Sequence, residues 1–212
     1  MKLIAGLGNP GQRYIGTRHN IGFEAIRRLR LKLGGDKLRG KFDSDFTESI
    51  IAGEKLVLMC PLTFMNLSGR SVQAAVDFFS LPLPNLLVIC DDLNLPLGSV
   101  RLRSSGSAGG QKGLQNICNL LGSQMFPRLR IGIGAAPPNW DAADYVLAKF
   151  SAEEKIDVDR AIDAAVEAAL VWMNSGMEVA MARFNGSGNK VDSALAPDVP
   201  KPRQKINRPS ED

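Results

Sequence analysis

Short apolar runs alternate along this chain with longer stretches whose hydrophobic residues recur at helical spacing. The run Leu86–Cys90 contains no polar residue, which is typical of a strand buried on both faces of a sheet. Between the N-terminal run 2–6 and that strand, the hydrophobic residues from Ile21 to Leu33 follow a helical period. This alternation favours an α/β fold in which helices pack on both faces of a mixed sheet.

The same patterns predict the order of elements over the whole chain. We expect strands at 2–6, 86–90, 99–103 and 128–134, with a hairpin in 46–60 that turns at Gly53 and Glu54. Helices are expected from Thr17 or Asn20 to Leu33, from Ser68 or Ser71 to Phe79, over 113–121, and from about Ser151 to Phe184. One domain is therefore predicted over 1–185. Residues 186–212 hold four prolines and almost no large apolar side chains, which predicts a disordered tail.

Charge is distributed unevenly along the chain. The net charge is +4, yet residues 1–150 carry 18 Lys or Arg against 11 Asp or Glu. Such a surplus permits a polyanionic partner such as nucleic acid, although it often only solvates a surface. No segment is apolar for long enough to be a signal peptide or a membrane span, and the three cysteines are widely spaced. We therefore expect a cytoplasmic protein with reduced core thiols.

Amides and carboxylates are concentrated where the expected strands end. Asn9 comes after the first strand, Asn66 after the strand that ends at Cys60, and Asp91 and Asp92 after Leu86–Cys90. Ligands of open α/β sheets gather outside the carboxyl ends of the strands. We expect these side chains to meet at one edge of the sheet.

His19 is the only histidine of the chain, and it follows the Asn9 turn closely enough to reach the same edge. Imidazole is the side chain whose unperturbed pKa lies nearest neutrality, so His19 is the obvious candidate for a general base. A zinc site built on several histidines is excluded.

Two glycine-rich segments suggest phosphate binding, and both are poor matches. Gly6, Gly8 and Gly11 fit a dinucleotide-binding pattern, but helical periodicity begins only near residue 17, not directly after the glycines. The segment 106–113 resembles a P-loop but lacks Ser or Thr after Lys112. Its glycines can still bring backbone N–H groups and Lys112 to a phosphate.

Several ordered motifs together resemble the bacterial-type peptidyl-tRNA hydrolase family, over about residues 1–185. The motifs are GLGNPG at 6–11 followed by Tyr14, TRHN at 17–20 followed by Gly22, PLTFMNLSG at 61–69, DDLNLPLG at 91–98 and RLRIGIG at 128–134. The resemblance implies a single α/β domain with a twisted mixed sheet and a monomer without metal or cofactor. It also implies hydrolysis of the ester that joins a peptide to the 3′ end of tRNA.

Carried over by position, the resemblance places His19, Asp91 and Asn9 in the catalytic machinery. His19 is similar to the base that activates water, and Asp91 to the carboxylate that orients this base. Asn9 and Asn66 resemble the amides that hold the substrate, which the resemblance expects to lie in a cleft lined by Tyr14 and Met65. Because side chains alternate along a strand, we expect only Asp91 of the two adjacent aspartates to face His19.

The chain departs from the family pattern most plainly at 109–114, and Asn94 also stands where an aspartate is common. Where the family usually reads GGHNGL, residues 109–114 read GGQKGL, so Lys112 replaces an asparagine of the substrate-binding set. Lysine cannot accept a hydrogen bond but binds phosphate as a point charge. We expect Lys112, with Arg103 and Arg130, to contact phosphates of the tRNA acceptor end.

A non-catalytic RNA-binding protein on the same fold, such as a splicing cofactor, is the alternative function. The basic surplus would serve either protein, and the exchange at Lys112 is the strongest point for the alternative. The retention of Asn9, His19, Asn66 and Asp91 favours the enzyme.

Overall fold

The computed structural model describes residues 1–34, 38–51 and 53–186. Seven strands, five α-helices and several single 3-10 turns occupy these residues. The strands are β1 (Lys2–Gly6), β2 (Arg39–Lys41), β3 (Ser44–Ile51), β4 (Glu54–Pro61), β5 (Leu86–Asp92), β6 (Val100–Arg103) and β7 (Arg128–Gly132). The helices are α1 (Ile21–Lys32), α2 (Ser68–Phe78), α3 (Lys112–Leu121), α4 (Ala142–Leu147) and α5 (Ala152–Phe184).

All seven strands form one mixed sheet in the order β2-β3-β4-β1-β5-β7-β6. The central neighbours β4, β1, β5 and β7 pair in parallel. The outer pairs β2–β3, β3–β4 and β6–β7 are antiparallel. The carboxyl ends of four parallel strands therefore meet at one edge of the sheet, as the sequence predicts.

Alternation along the strands divides the apolar side chains between two cores. Ile4 of β1 packs in the core that contains α1 and α5. Its neighbours Leu3 and Ala5 pack on the opposite face, in the core that contains α2 and α3. The expectation of helices on both faces of a mixed α/β sheet is confirmed.

The first turn of α1 lies directly on the backbone of the sheet. A Cβ atom on Gly22 would lie 2.5 Å from the Leu7 nitrogen and 2.6 Å from the Ile89 oxygen. Gly6 is equally confined, because its Cβ would lie 2.2 Å from the Gly22 oxygen. Only glycine permits this approach, which brings the residues just before α1 to the ends of β1 and β5.

The long C-terminal helix is not continuous, contrary to the prediction for 151–184. Gly176 has φ 85° and ψ 175° and interrupts α5. This backbone conformation is open almost only to glycine. Lys2 Nζ donates to the carbonyls of Trp172 and Met173, whose partners in an unbroken helix would be Gly176 and Met177. The break therefore fastens the N-terminal strand to α5.

Asn185 ends α5 beside the edge strand β6. Its Oδ1 accepts from the Leu102 N–H at 2.8 Å and its Nδ2 donates to the Leu102 carbonyl at 3.0 Å. The tail expected from residue 186 lies, except for Gly186, outside the described residues.

Three smaller features differ from or extend the sequence-based expectation. Strand β2 and helix α4 are not predicted from periodicity, because both are short. Asn20 is at the N-cap position of α1 but makes no capping hydrogen bond there. The three cysteines are unpaired, and burial raises the pKa of the Cys90 thiol.

Candidate active site

The carboxyl edge of the sheet holds a buried histidine–aspartate pair. His19 lies in the 3-10 turn Arg18–Asn20 just before α1, and Asp91 is the penultimate residue of β5. His19 Nδ1 and Asp91 Oδ2 are 2.8 Å apart, and the two residues are only 9% and 3% exposed. A carboxylate oxygen only accepts, so Nδ1 carries the hydrogen and the neutral ring keeps its lone pair on Nε2.

Arg18 ties the turn that contains His19 to the first turn of α5. Its Nη2 donates to both carboxylate oxygens of Glu154, at 2.9 and 2.8 Å. The guanidinium lies over the rings of Tyr145 and Phe150, 4.3 and 4.7 Å from their centroids. Burial works to raise the pKa of Glu154, but the hydrogen bonds and charge of Arg18 together with the backbone N–H of Ser151 lower it overall. Glu154 therefore stays ionised, and the turn is held by an ion pair.

Asn9 joins this turn to the loop that follows β4. Its backbone N–H donates to Asn20 Oδ1 at 2.8 Å, and Asn20 Nδ2 returns a bond to the Asn9 carbonyl at 2.9 Å. Asn9 Oδ1 accepts from the Met65 N–H at 2.8 Å. Because the Met65 N–H occupies Oδ1, the Nδ2 group of Asn9 points away from the Met65 backbone. Its hydrogens make no hydrogen bond to another described residue. This NH₂ group is available to a ligand.

The other residues expected to line a substrate cleft differ in burial. Met65 is buried, whereas Asn66 is exposed in the same short turn. Tyr14 is half-buried, and its hydroxyl accepts from Arg13 Nη2 at 2.6 Å. Direct hydrogen bonds thus join His19 to Asp91 and Asn9 to Met65, while Asn66 and Tyr14 make no described contact with them.

Adjacent aspartates on β5 have different partners, as alternation along a strand requires. Asp92 Oδ2 accepts from Arg130 Nη1 at 2.8 Å, and its Oδ1 accepts from the Asn94 N–H at 2.8 Å. Arg130 also donates through Nη2 to the Ser107 carbonyl at 2.6 Å. Only Asp91 faces His19, and the side chain of Arg130 is mostly enclosed in its ion pair.

Gln111 is a site residue that the sequence analysis did not select. It is the N-cap of α3, and its Oε1 accepts from the Leu114 N–H at 2.6 Å. Its Nε2 lies 3.1 Å from Asp91 Oδ1 and 3.1 Å from the sulfur of Met65. A polar residue just before a helical period is a capping signal, but nothing in the sequence connects that cap with Asp91.

A wholly buried arginine shapes the glycine-rich loop that leads to Gln111. Arg128 is 0% exposed and donates to four backbone carbonyls. Its acceptors are Phe126, Gly106, Ser107 and Gln124. Burial is the main cause that lowers the pKa of this guanidinium. The loop is therefore tied to β7 by hydrogen bonds from Arg128 and Arg130.

Beyond this loop the surface is basic. Lys112, the first residue of α3, is exposed, and so are Arg101 and Arg103 on β6. The register pairs Arg101 with Arg130 and Arg103 with Arg128, so four arginines share one face of the β6–β7 ribbon. The sequence points to Arg103 but not to Arg101, whose position becomes evident only from this register.

Comparison with known proteins adds a second line of evidence. The family model described as peptidyl-tRNA hydrolase matches residues 3–193. The chain belongs to the peptidyl-tRNA hydrolase family. It is 50% identical over 186 residues to the peptidyl-tRNA hydrolase of Caldanaerobacter subterraneus, which covers 88% of this chain and 100% of the relative. It is 48% identical over 187 residues to that of Rhodopirellula baltica, with coverages of 88% and 98%.

Solved structures of the family agree with the fold. The crystal structure of peptidyl-tRNA hydrolase from Acinetobacter baumannii has a TM-score of 0.83 and 34% identity, and covers 88% of this chain and 95% of that one. Over the described ranges we find neither a cluster of three potential metal-ligating side chains nor a helix with the length and apolarity needed to cross a membrane.

Replacing Arg128 by lysine should destabilise this family member strongly. The planar guanidinium donates to carbonyls through Nε, Nη1 and Nη2, and a single ammonium group cannot reach all of them. Several buried carbonyl oxygens would therefore lose their hydrogen-bond donors. We expect Arg128→Lys to lower the free energy of unfolding by about 2–4 kcal/mol in urea denaturation. Arg101→Lys, the same change at an exposed site on the neighbouring strand, should alter it by less than about 0.5 kcal/mol. Equal losses in the two variants would contradict this role of Arg128.

Proposed function

We propose that this protein hydrolyses the ester bond between a peptide, or an N-blocked aminoacyl group, and tRNA. The observation that carries the proposal is the buried His19–Asp91 pair at the carboxyl edge of the sheet. Membership of the peptidyl-tRNA hydrolase family supports the substrate. The assembled pair, with the Asn9 amide tied into the adjoining turns, supports an enzyme over a non-catalytic RNA-binding protein on the same fold.

Water is the nucleophile in the proposed reaction. Nε2 of His19 takes a proton from water as the water oxygen attacks the ester carbonyl, and Asp91 stabilises the imidazolium that forms. The Nδ2 hydrogens of Asn9 bind the developing oxyanion or the peptide backbone. When the carbon–oxygen bond to tRNA breaks, the imidazolium returns its proton to the 3′ oxygen. The products are free tRNA and a peptide with a C-terminal carboxyl group, both available again for translation.

The substrate is held on two sides of this centre. Asn66, Tyr14 and Met65 are assigned to the cleft that receives the peptide and the terminal nucleotide. Exposed Lys112 and Arg103 are assigned to phosphates of the acceptor end. An exposed lysine or arginine can bind a phosphate without first breaking an ion pair within the protein. Arg130 adds positive charge to the same face from within its ion pair with Asp92.

We further propose that the enzyme acts as a cytoplasmic monomer. Each assigned residue comes from the same chain, and the free thiols suit a reducing compartment.

Removing the imidazole tests the central assignment. His19→Ala should lower kcat for an N-blocked aminoacyl-tRNA by about two to four orders of magnitude, the range expected for a lost general base. The chain has no second histidine to substitute. Circular dichroism and thermal unfolding would establish that the variant remains folded. Hydrolysis at the unaltered rate would remove His19 from the mechanism.

The two adjacent aspartates provide a matched pair of variants. Asp91→Asn should lower kcat by about two to four orders of magnitude, because an amide supports the wrong tautomer of His19 and cannot balance the imidazolium charge. Asp92→Asn should weaken the ion pair with Arg130 and lower thermal stability, with a much smaller effect on kcat. Steady-state kinetics and unfolding curves measure the two effects separately. Equal losses of kcat would show that Asp91 is not the orienting carboxylate.

Lys112 is tested through the salt dependence of tRNA binding. Lys112→Ala should raise KM for tRNA substrates, leave kcat nearly unchanged and reduce the slope of log KM against log salt concentration by about one counterion. Lys55→Ala is the control. Lys55 lies at the start of β4, away from the carboxyl edge of the sheet that holds the site, and it pairs with Glu48. An unchanged KM and slope in the Lys112 variant would place this lysine outside the tRNA contact.

A further inference from the structure

The side-chain amide of Gln111 has only one orientation compatible with its neighbours. The Leu114 backbone N–H lies 2.6 Å from Oε1 and can only donate, so this atom must be the oxygen. The NH₂ group is then directed at Asp91 Oδ1, 3.1 Å away. The orientation follows from a fixed backbone donor and does not depend on a choice between two equivalent side-chain positions.

Asp91 is consequently held from both sides. Its Oδ2 receives the hydrogen of His19 and its Oδ1 receives a hydrogen of Gln111. A carboxylate held at both oxygens cannot rotate about its terminal bond without losing a buried hydrogen bond. The rotation that would withdraw Oδ2 from His19 is therefore opposed by Gln111.

Gln111 is itself held rigidly. It caps α3 on one side, and on the other side it follows the loop tied to β7 by Arg128 and Arg130. Gln111 is 8% exposed, and its side chain contacts the sulfur of buried Met65. A donor fixed in this way restricts its acceptor far better than a mobile surface amide would.

We propose that Gln111 is a positioning residue of the hydrolytic site, which holds the Asp91 carboxylate in the rotamer that orients His19. The inference rests on the proposed function, because it assigns Gln111 to the same reaction. It gives a role to one of the two positions where the chain departs from the family pattern GGHNGL. The charged or titratable groups around this contact are His19 on the turn before α1, Asp91 on β5, and the Asp92–Arg130 pair beside it.

Two variants separate this role from the helix cap. Gln111→Glu keeps an oxygen for the Leu114 N–H but replaces the amide donor by a carboxyl group next to Asp91. Gln111→Asn keeps a good N-cap residue but is one methylene shorter, so its amide cannot reach Asp91. Gln115→Glu is the control, because it makes the same chemical change one turn later on the exposed face of α3.

Because His19 is the only histidine, NMR follows its ring titration without ambiguity in the untagged protein. In Gln111→Glu the midpoint should rise by about one pH unit, since added negative charge favours the imidazolium. The acidic limb of the kcat profile should move with it. In Gln111→Asn, kcat should fall about tenfold or more at unchanged KM, with a smaller upward shift of the midpoint. The control should match the unaltered protein.

The proposal stands only if the ring titration and kcat change together in both variants. If the variants lost thermal stability while the midpoint of the His19 ring titration stayed unaltered, Gln111 would be only a helix cap. That result would overturn the proposal. A shifted midpoint with unaltered kcat would also overturn it. The titration needs no substrate, so it reports the link from Gln111 through Asp91 to His19 even if the unaltered protein fails to cleave N-blocked aminoacyl-tRNA. That failure would contradict the proposed function instead.

Discussion

At Gly22 the first turn of α1 rests on the backbone of Leu7 and Ile89 with no side chain between them. The whole site depends on this contact, because the turn before the helix can reach the end of β5 only when the helix lies this close to the sheet. Any larger residue would push α1 outward and carry His19 away from Asp91. The close packing of the α1 backbone on the sheet backbone thus sets the distance between the side chains of His19 and Asp91.

Asp91 is the point where three separate parts of the chain meet. His19 comes from the segment before α1, Gln111 from the start of α3, and Asp91 itself from the parallel strand β5. Each partner is anchored in turn by groups outside the site: Arg18 pairs with Glu154, and Arg128 binds the loop before Gln111. His19, Asp91 and Gln111 form one hydrogen-bonded chain, and pairing of this kind makes buried polar groups tolerable in a low-dielectric interior.

Sequence patterns predicted most of the sheet, because period-2 and period-3.6 hydrophobicity directly reflect burial. They also predicted that His19 and Asp91 would meet. Residues after a strand could be placed at one edge without knowing the strand order. Gln111 could not be found in this way, since its contact with Asp91 spans 20 residues and depends on where α3 packs. Nothing in the sequence indicates that Arg128 is buried, and only the fold surrounds it with carbonyls. Gly176 was hidden in an otherwise good helical pattern, where a single glycine is usually tolerated.

The side chain of Asn185 has a consequence for behaviour in a crowded cell. Strand β6 is an edge of the sheet, and unpaired backbone groups on such a strand invite another chain to add to it. The Asn185 amide accepts from the N–H and donates to the carbonyl of Leu102, which is what the backbone of an incoming strand would do. A single amide at the end of a helix thus occupies backbone groups of the edge strand that would otherwise be open to pairing with a second copy of the chain.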